Sequence, residues 1–272
     1  MRSTSTALTL LGTQGWIPTA RRETTCLALQ TRRSLFLFDA GTGLSRLLSE
    51  PWRSMVRAVP RVHLFLTHYH LDHTCGLAYL SGVVGEHDLT IHVPAHSLNH
   101  IAPAEGVPSL LRPPFHPVAW EHQAEYRLAV LDGDTLVDGV RVYVRPQCHA
   151  GISVAYRVED LFVLATDTVS DPATAEFAAG AQVLLHEAWI DEQELNDPAR
   201  QDYARRMLTT HSTARQAAEI ARTADVQELM LIHLNPLRDE EYYRQLRRRA
   251  AEVFPATIVP DDLHVRSFAR RE

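Results

Sequence analysis

The chain has 272 residues, enough for one large core or two small domains. Its formal net charge is −6, its pI is about 6.2, and it has no basic tract, so it lacks the basic footprint of a nucleic-acid binder. Apolar residues make up 45% of it, yet no apolar stretch approaches the roughly 20 residues that span a bilayer, which excludes a membrane partner.

Apolar runs bounded by turn residues predict strands at 6–11, 24–30, 34–39, 62–66 and 89–93. Further strands are predicted near 125–130, 140–145, 152–158, 161–166, 182–186, 227–232 and 256–260. Asp132-Gly133 and Asp138-Gly139 are hairpin turn signals. Helices are predicted near 43–58, 74–82, 171–179, 213–224 and 238–252, with Thr213-x-x-Gln216 as a capping box. Strands flanked by helices suit two packed sheets with helices outside. No Gly/Ser run or low-complexity block divides the chain, so 1–272 is expected to form a single domain.

The most informative stretch is Thr67-His68-Tyr69-His70-Leu71-Asp72-His73, directly after the apolar run Val62–Leu66. Imidazole nitrogen and carboxylate oxygen are the ligands that zinc accepts in hydrolytic sites. His68 and His70, two apart on extended chain, can point the same way. Asp72 and His73 follow a turn and can face a second ion. The spacing suits paired metals, about 3.5–4 Å apart, that clamp the attacking and leaving oxygens of a displacement.

This H-x-H-x-D-H pattern resembles the signature of the metallo-β-lactamase superfamily. Further segments match in the family's order: Phe38-Asp39-Ala40-Gly41-Thr42-Gly43, Gln147-Cys148-His149-Ala150-Gly151, Ala165-Thr166-Asp167-Thr168 and Leu231-Ile232-His233-Leu234. The resemblance implies an α/β fold, the four-layer αβ/βα sandwich, with metals at one edge of the sheets. It implies that His68, His70 and His149 hold one ion, that Asp72, His73 and His233 hold the other, and that Asp167 and a water or hydroxide bridge them. Two Zn2+ are the expected cofactors, with Mn2+ or Fe as other occupants of the same ligand set.

Leu185-His186-Glu187-Ala188-Trp189 and Thr210-His211-Ser212-Thr213 are similar to the "HEA" and "HST" elements of the ribonuclease Z-like branch. The resemblance implies that Glu187 and His211 form a proton relay, with His211 protonating the leaving oxygen. Asp72, His211 and Glu187 make up the expected catalytic set. His186 ends a buried strand and takes no role. Leu10-Leu11-Gly12-Thr13-Gln14-Gly15-Trp16-Ile17-Pro18 resembles the branch's opening "LGTGxGxP" element, which makes the start a first strand, although Met1-Arg2-Ser3-Thr4 imitates a signal peptide. Arg21 and Arg22 either meet a phosphate oxygen or form a solvated pair.

The branch's tRNA-processing members carry a long arm between the third metal segment and the bridging aspartate. Here His149 and Asp167 are joined by little more than one hairpin. With the negative net charge, this makes a small or cyclic phosphodiester the expected substrate and tRNA 3′-end processing the alternative. A thioesterase or lactonase is a further alternative, and so is a single-iron sulfur oxygenase, against which Glu187 and His211 argue. Cys26, Cys75 and Cys148 make no C-x-x-C pair, which fits a reducing cytoplasm, and Cys148 is expected to be a packed thiol. The proline-rich Pro94–Pro117 is expected to arch over or beside the metals as a substrate-shaping loop. Its His96, His100 and His116 are read as surface residues, as are His63, His87, His92, His122 and His264. The family's habit of dimerising leaves a homodimer open.

Overall fold

The computed structural model describes residues 6–123 and 126–268, so Met1-Arg2-Ser3-Thr4 lies outside the described residues. The strands are β1 (Thr6–Gly12), β2 (Cys26–Gln30), β3 (Ser34–Phe38), β4 (Arg61–Phe65), β5 (Asp88–Pro94), β6 (Tyr126–Leu131), β7 (Thr135–Val137), β8 (Val140–Gln147), β9 (Ser153–Val158), β10 (Phe162–Ala165), β11 (Val183–Glu187), β12 (Glu228–Ile232), β13 (Thr257–Ile258) and β14 (Val265–Phe268). They fall into two compact units. One comprises the described residues up to Thr13, Ile17–Asp132 and those from Asp261 on; the other comprises Gln14–Trp16 and Gly133–Pro260.

The first unit is built on a seven-stranded sheet of order β14-β1-β2-β3-β4-β5-β6. β1, β2 and β3 pair antiparallel, whereas β3, β4, β5 and β6 run parallel. β3 is buried at every position, as expected of a strand covered on both faces. Leu35 and Leu37 join the core with Val62, Leu64, Leu89 and Ile91. Phe36 and Phe38 take the opposite face, where Phe38 stacks on Phe65 at 5.3 Å.

The second unit carries a seven-stranded sheet of order β13-β12-β11-β10-β9-β8-β7. β10 to β13 are parallel and β7 to β10 antiparallel. The helix Ala214–Ala224 buries Ala214, Ala217, Ala218, Ala221 and Ala224, a stripe at helical spacing. Its capping box forms as predicted: Thr213 accepts from the Gln216 backbone, and the Gln216 side chain accepts from the Thr213 backbone.

The predicted helix 43–58 is instead a 3-10 turn, Thr42–Leu48, and a short helix, Arg53–Arg57. Pro51 supplies no N–H between them, which breaks the ladder. The predicted helix 74–82 is likewise broken into Leu71–Thr74, Cys75–Tyr79 and Leu80–Val84. Gly76 donates to Ala40 O at 2.7 Å there, and a Cβ on it would sit 2.7 Å from that same oxygen. Asp138-Gly139 makes its hairpin, with Val137 opposite Val140 and φ of 50° and 84°, as a two-residue type I′ turn needs. Asp132-Gly133 makes no hairpin; there the chain leaves β6 in one sheet for β7 in the other. β7 and β14 were not predicted, being short and lacking a clear apolar alternation. No helix among the described residues is long and apolar enough to cross a membrane.

Candidate metal centre

In the first unit, β3 and β4 run parallel and end level with each other, Phe38 opposite Phe65. The next residue after β3 is Asp39, fully buried with φ of 59°, a region that Asp tolerates better than most residues. Its carboxylate accepts from Thr67 N at 2.7 Å, from Thr67 Oγ1 at 2.9 Å and from His73 Nδ1 at 2.8 Å. The hydroxyl of Thr67 gives its proton to Asp39, so at 3.0 Å it accepts from His68 Nδ1. One carboxylate therefore fixes the tautomer of both rings, leaving Nε2 of His68 and of His73 as the lone-pair nitrogen.

The three rings group around His68, whose centroid lies 4.5 Å from that of His70 and 4.3 Å from that of His73. A one-turn helix, Leu71–Thr74, swings Asp72 back so that its Oδ2 lies 3.4 Å from His73 Nε2. Gly41 makes this turn possible, since a Cβ there would sit 2.6 Å from Asp72 O. The proline-rich stretch lies against this loop: a Cβ on Gly106 would meet the Tyr69 ring at 2.3 Å. That stretch is not wholly irregular, holding short helices at His96–Asn99 and Val107–Leu110.

In the second unit, Asp167 follows β10 and His233 follows β12, with φ of 51° and 49°. Both repeat the device seen at Asp39, a polar side chain turned out by left-handed backbone at the carboxyl end of a parallel strand, where α/β sheets place ligands. Each oxygen of Asp167 faces one imidazole, Oδ1 to His149 Nε2 and Oδ2 to His233 Nε2, both at 3.3 Å. His149 Nδ1 donates to Thr210 O at 2.8 Å, so its Nε2 is the lone-pair nitrogen. Burial holds the His149 imidazole below its ordinary pKa, against the opposing pull of Asp167, and keeps the ring in the neutral form a cation needs.

Glu187 ends β11, fully buried. One of its oxygens accepts from Thr168 N, and the other accepts from His211 Nδ1 at 2.8 Å. His211 stacks on Trp189 at 4.7 Å and 13°, and Trp189 Nε1 donates to Tyr203 Oη at 3.0 Å. Ser212, beside it, donates to Thr168 O at 2.7 Å and ties this loop to the strand end of Asp167. Ligand atoms of Asp167, His211 and His233 all lie within 4.8 Å of one another.

These donor sets fit a divalent cation. Imidazoles whose Nδ1 is committed to an acceptor, set beside carboxylates, are the arrangement of histidine-ligated metals. The first unit brings His68, His70, Asp72 and His73 together, and the second brings His149, Asp167, Glu187, His211 and His233 together. Sequence reasoning missed Asp39, Thr67 and Trp189 as residues that aim these side chains; only the Phe38-Asp39-Ala40-Gly41 turn pointed to the first of them.

Other expectations need correction. Cys148 is exposed, not packed. His63 and His92 are buried, not on the surface, and share a proton across 3.2 Å, although no candidate metal group among the described residues includes them. Arg22 is buried, donating to Thr13 Oγ1 and to Asp261, each at 2.8 Å, so it is neither a solvated residue nor open to a phosphate; Arg21 is exposed.

Residues 35–234 match the family described as Beta-lactamase superfamily domain. A ribonuclease Z of Mycobacterium sp. (strain KMS) is 31% identical, with 94% of each chain covered. The metallo-β-lactamase fold protein YhfI from Bacillus subtilis is 19% identical, with a TM-score of 0.71 over 97% of this chain and 100% of that one. The short form of human tRNase Z is 21% identical, with a TM-score of 0.65 over the same shares. The likeness to these solved structures shows the fold, an α/β metallo-β-lactamase fold as expected. The chain belongs to the metallo-β-lactamase superfamily, as a hydrolase of its ribonuclease Z-like branch.

Proposed function

We propose that the chain is a phosphodiesterase acting on small or cyclic phosphodiesters. In this reading 1–272 work as one domain, and His68, His70, Asp72, His73, His149, Asp167 and His233 hold two zinc ions in one centre. The observation that carries it is the Glu187–His211 pair, at 2.8 Å, beside the ligand atoms of Asp167 and His233. A metal centre with its own half-buried proton donor, held by a fully buried carboxylate, suits a reaction that expels a poor leaving group.

When bound, divalent cations supply Lewis acidity toward a phosphoryl oxygen and make hydroxide available near neutral pH. The protein supplies the rest. Asp39, Thr67 and the Thr210 carbonyl hold the imidazoles in one tautomer, so that little reorganisation is needed. Asp167 balances positive charge between two imidazoles. His211 gives a proton to the leaving oxygen as the P–O bond breaks, and Glu187 stabilises the imidazolium form that holds that proton. The products are a phosphomonoester and an alcohol.

A second reading is tRNA 3′-end processing, favoured by the ribonuclease Z relatives. Against it stand the net charge of −6 and the tight antiparallel hairpin of β9 and β10, which leaves no arm between His149 and Asp167. The free cysteines suit a reducing cytoplasm.

The test is turnover of bis(p-nitrophenyl) phosphate and of a precursor tRNA at low salt by zinc-loaded protein, with Asp72→Ala beside it. Diester turnover lost in Asp72→Ala, with the precursor uncut, supports the first reading. Accurate cleavage of the precursor would replace it with the second. No turnover of either substrate by zinc-loaded wild type would redirect the search to thioesters and lactones.

A further inference from the structure

Trp189 is the surface on which His211 rests. The two rings stack at 4.7 Å and 13°, and the indole also meets the His233 ring, tilted, at 5.4 Å. The hydrogen bond from His211 Nδ1 to Glu187 fixes one ring atom. The plane of the ring, and with it the aim of Nε2, needs a second restraint, which the indole face supplies.

The indole is itself held by Tyr203, whose Oη accepts from Trp189 Nε1 at 3.0 Å and from Asn235 Nδ2 at 3.1 Å. Asn235 Oδ1 accepts from Leu237 N at 3.0 Å, which identifies the amide nitrogen as the group facing Tyr203. Asn235 is fully buried and lies just beyond His233. One hydroxyl thus joins the strand end of His233, the loop of Trp189 and the short helix Gln201–Met207. Burial does not account for the choice of tyrosine. The residue is half-buried, and it borders a cavity of about 240 Å³ that Arg200, Leu237 and Arg238 also line. The helix packs on Trp189 and Ile190 through Ala204. Phenylalanine would fill the same place but would leave the N–H of a buried indole without this acceptor, and an unmade bond on a buried donor is costly.

We propose that Tyr203 is a positioning residue for proton transfer: through Trp189 it fixes the plane of His211 and so aims Nε2 at the leaving oxygen. This deepens the phosphodiesterase reading and rests on it. The step it serves is cleavage of the P–O bond. The departing oxygen takes the bonding electron pair and the Nε2 proton, and His211 is left as neutral imidazole. The need for that proton grows with the basicity of the departing oxygen. A misaimed Nε2 therefore slows the loss of a basic oxygen and spares a weakly basic one.

The test uses two diesters that differ only in leaving group, methyl phenyl phosphate and methyl p-nitrophenyl phosphate, with zinc-loaded wild type, Tyr203→Phe, Trp189→Phe and the double variant. Phenoxide is the more basic leaving group. In Tyr203→Phe, kcat on the phenyl ester should fall about tenfold with KM kept, while kcat on the p-nitrophenyl ester stays near that of wild type. Trp189→Phe keeps a stacking face but loses the N–H, and should lose about the same factor on the phenyl ester. The double variant should be no worse than either single one, because both substitutions cut the same link. Nitrogen-15 NMR gives a readout apart from turnover: the indole N–H of Trp189, identified by its absence from Trp189→Phe, should exchange with solvent faster in Tyr203→Phe. Unchanged turnover of the phenyl ester in Tyr203→Phe, equal losses on the two esters, additive losses in the double variant or an unchanged indole exchange rate overturns this inference alone, as does a wild type that cleaves only the p-nitrophenyl ester. Failure of wild type to hydrolyse either diester overturns the phosphodiesterase reading, and this inference with it.

Discussion

His73 donates a hydrogen bond through Nδ1 to Asp39 across 2.8 Å, although the two lie 34 residues apart in sequence. The same carboxylate accepts a hydrogen bond from the Thr67 hydroxyl, whose oxygen in turn accepts from His68. Asp39 is fully buried, yet it decides which nitrogen two candidate ligands present. It is a positioning residue, buried under the loop that it organises.

Asp39→Ala should therefore cost metal before it costs anything else. Loss of such an outer partner lowers metal affinity by about 10–100-fold. Competition of the protein with a chromophoric chelator for zinc would show it, with circular dichroism to confirm the fold. Unchanged zinc affinity in a folded Asp39→Ala protein would remove Asp39 from this role.

His211→Ala should act on turnover, not on metal content. A positioned general acid contributes about 10²–10⁴-fold, so kcat should drop by that order with zinc stoichiometry retained. Glu187→Gln should fall between, because glutamine still accepts from Thr168 N but carries no charge to hold the imidazolium. A zinc titration that shows metal lost in His211→Ala would recast His211 as a ligand.

Gly15→Ala should be harmful although it adds only a methyl group. The new Cβ would meet His233 Cε1 at 2.6 Å and the Trp189 ring at 2.7 Å. Overpacking of this kind costs about 1–3 kcal/mol. Since both neighbours belong to the candidate centre, a lowered Tm should come with reduced zinc binding. A variant with wild-type Tm and zinc content would show that the rings move aside freely.

The buried pair His63 and His92 predicts a pH dependence of stability. Burial, and then the neighbouring His63, push the His92 imidazole down to about 3. An unfolded histidine titrates near about 6.5. Between those values the unfolded chain binds a proton that the folded chain refuses. Stability from this group is thus complete above about pH 6.5 and is lost as pH falls toward 3, by at most about 1.4 kcal/mol per pH unit. The His92 ring lies flat on Phe65, at 4.2 Å and 6°, so His92→Phe keeps the stacking while removing the titration. Urea unfolding at about pH 7.5 and pH 5 should show wild type losing about 2 kcal/mol more than His92→Phe. Parallel losses in the two proteins would rule His92 out as the cause.

Much of this protein is legible in its sequence because its chemistry is local. His68, His70, Asp72 and His73 sit within six positions, so one strand end and one helical turn suffice to gather them. The apolar runs that become β3, β4, β10, β11 and β12 mark buried strands by themselves, and Asp167 and His233 follow the ends of β10 and β12. Thr213 and Gln216 cap their helix three residues apart, within reach of a local reading. The tertiary structure decided what depends on distant partners. His63 and His92 stand inside the apolar runs 62–66 and 89–93, a signal of burial that the surface reading passed over, but their pairing with each other and with the Phe36 and Phe65 rings comes only from the register of neighbouring parallel strands. Arg22 looks solvated until Asp261, 239 residues away, returns to accept from it. Gly15 and Gly76 serve close approach, to His233 and to Ala40, which no local pattern announces. Sequence records which groups can coordinate, cap or stack, whereas their burial and the proton each one holds are set by atoms that arrive from elsewhere in the chain.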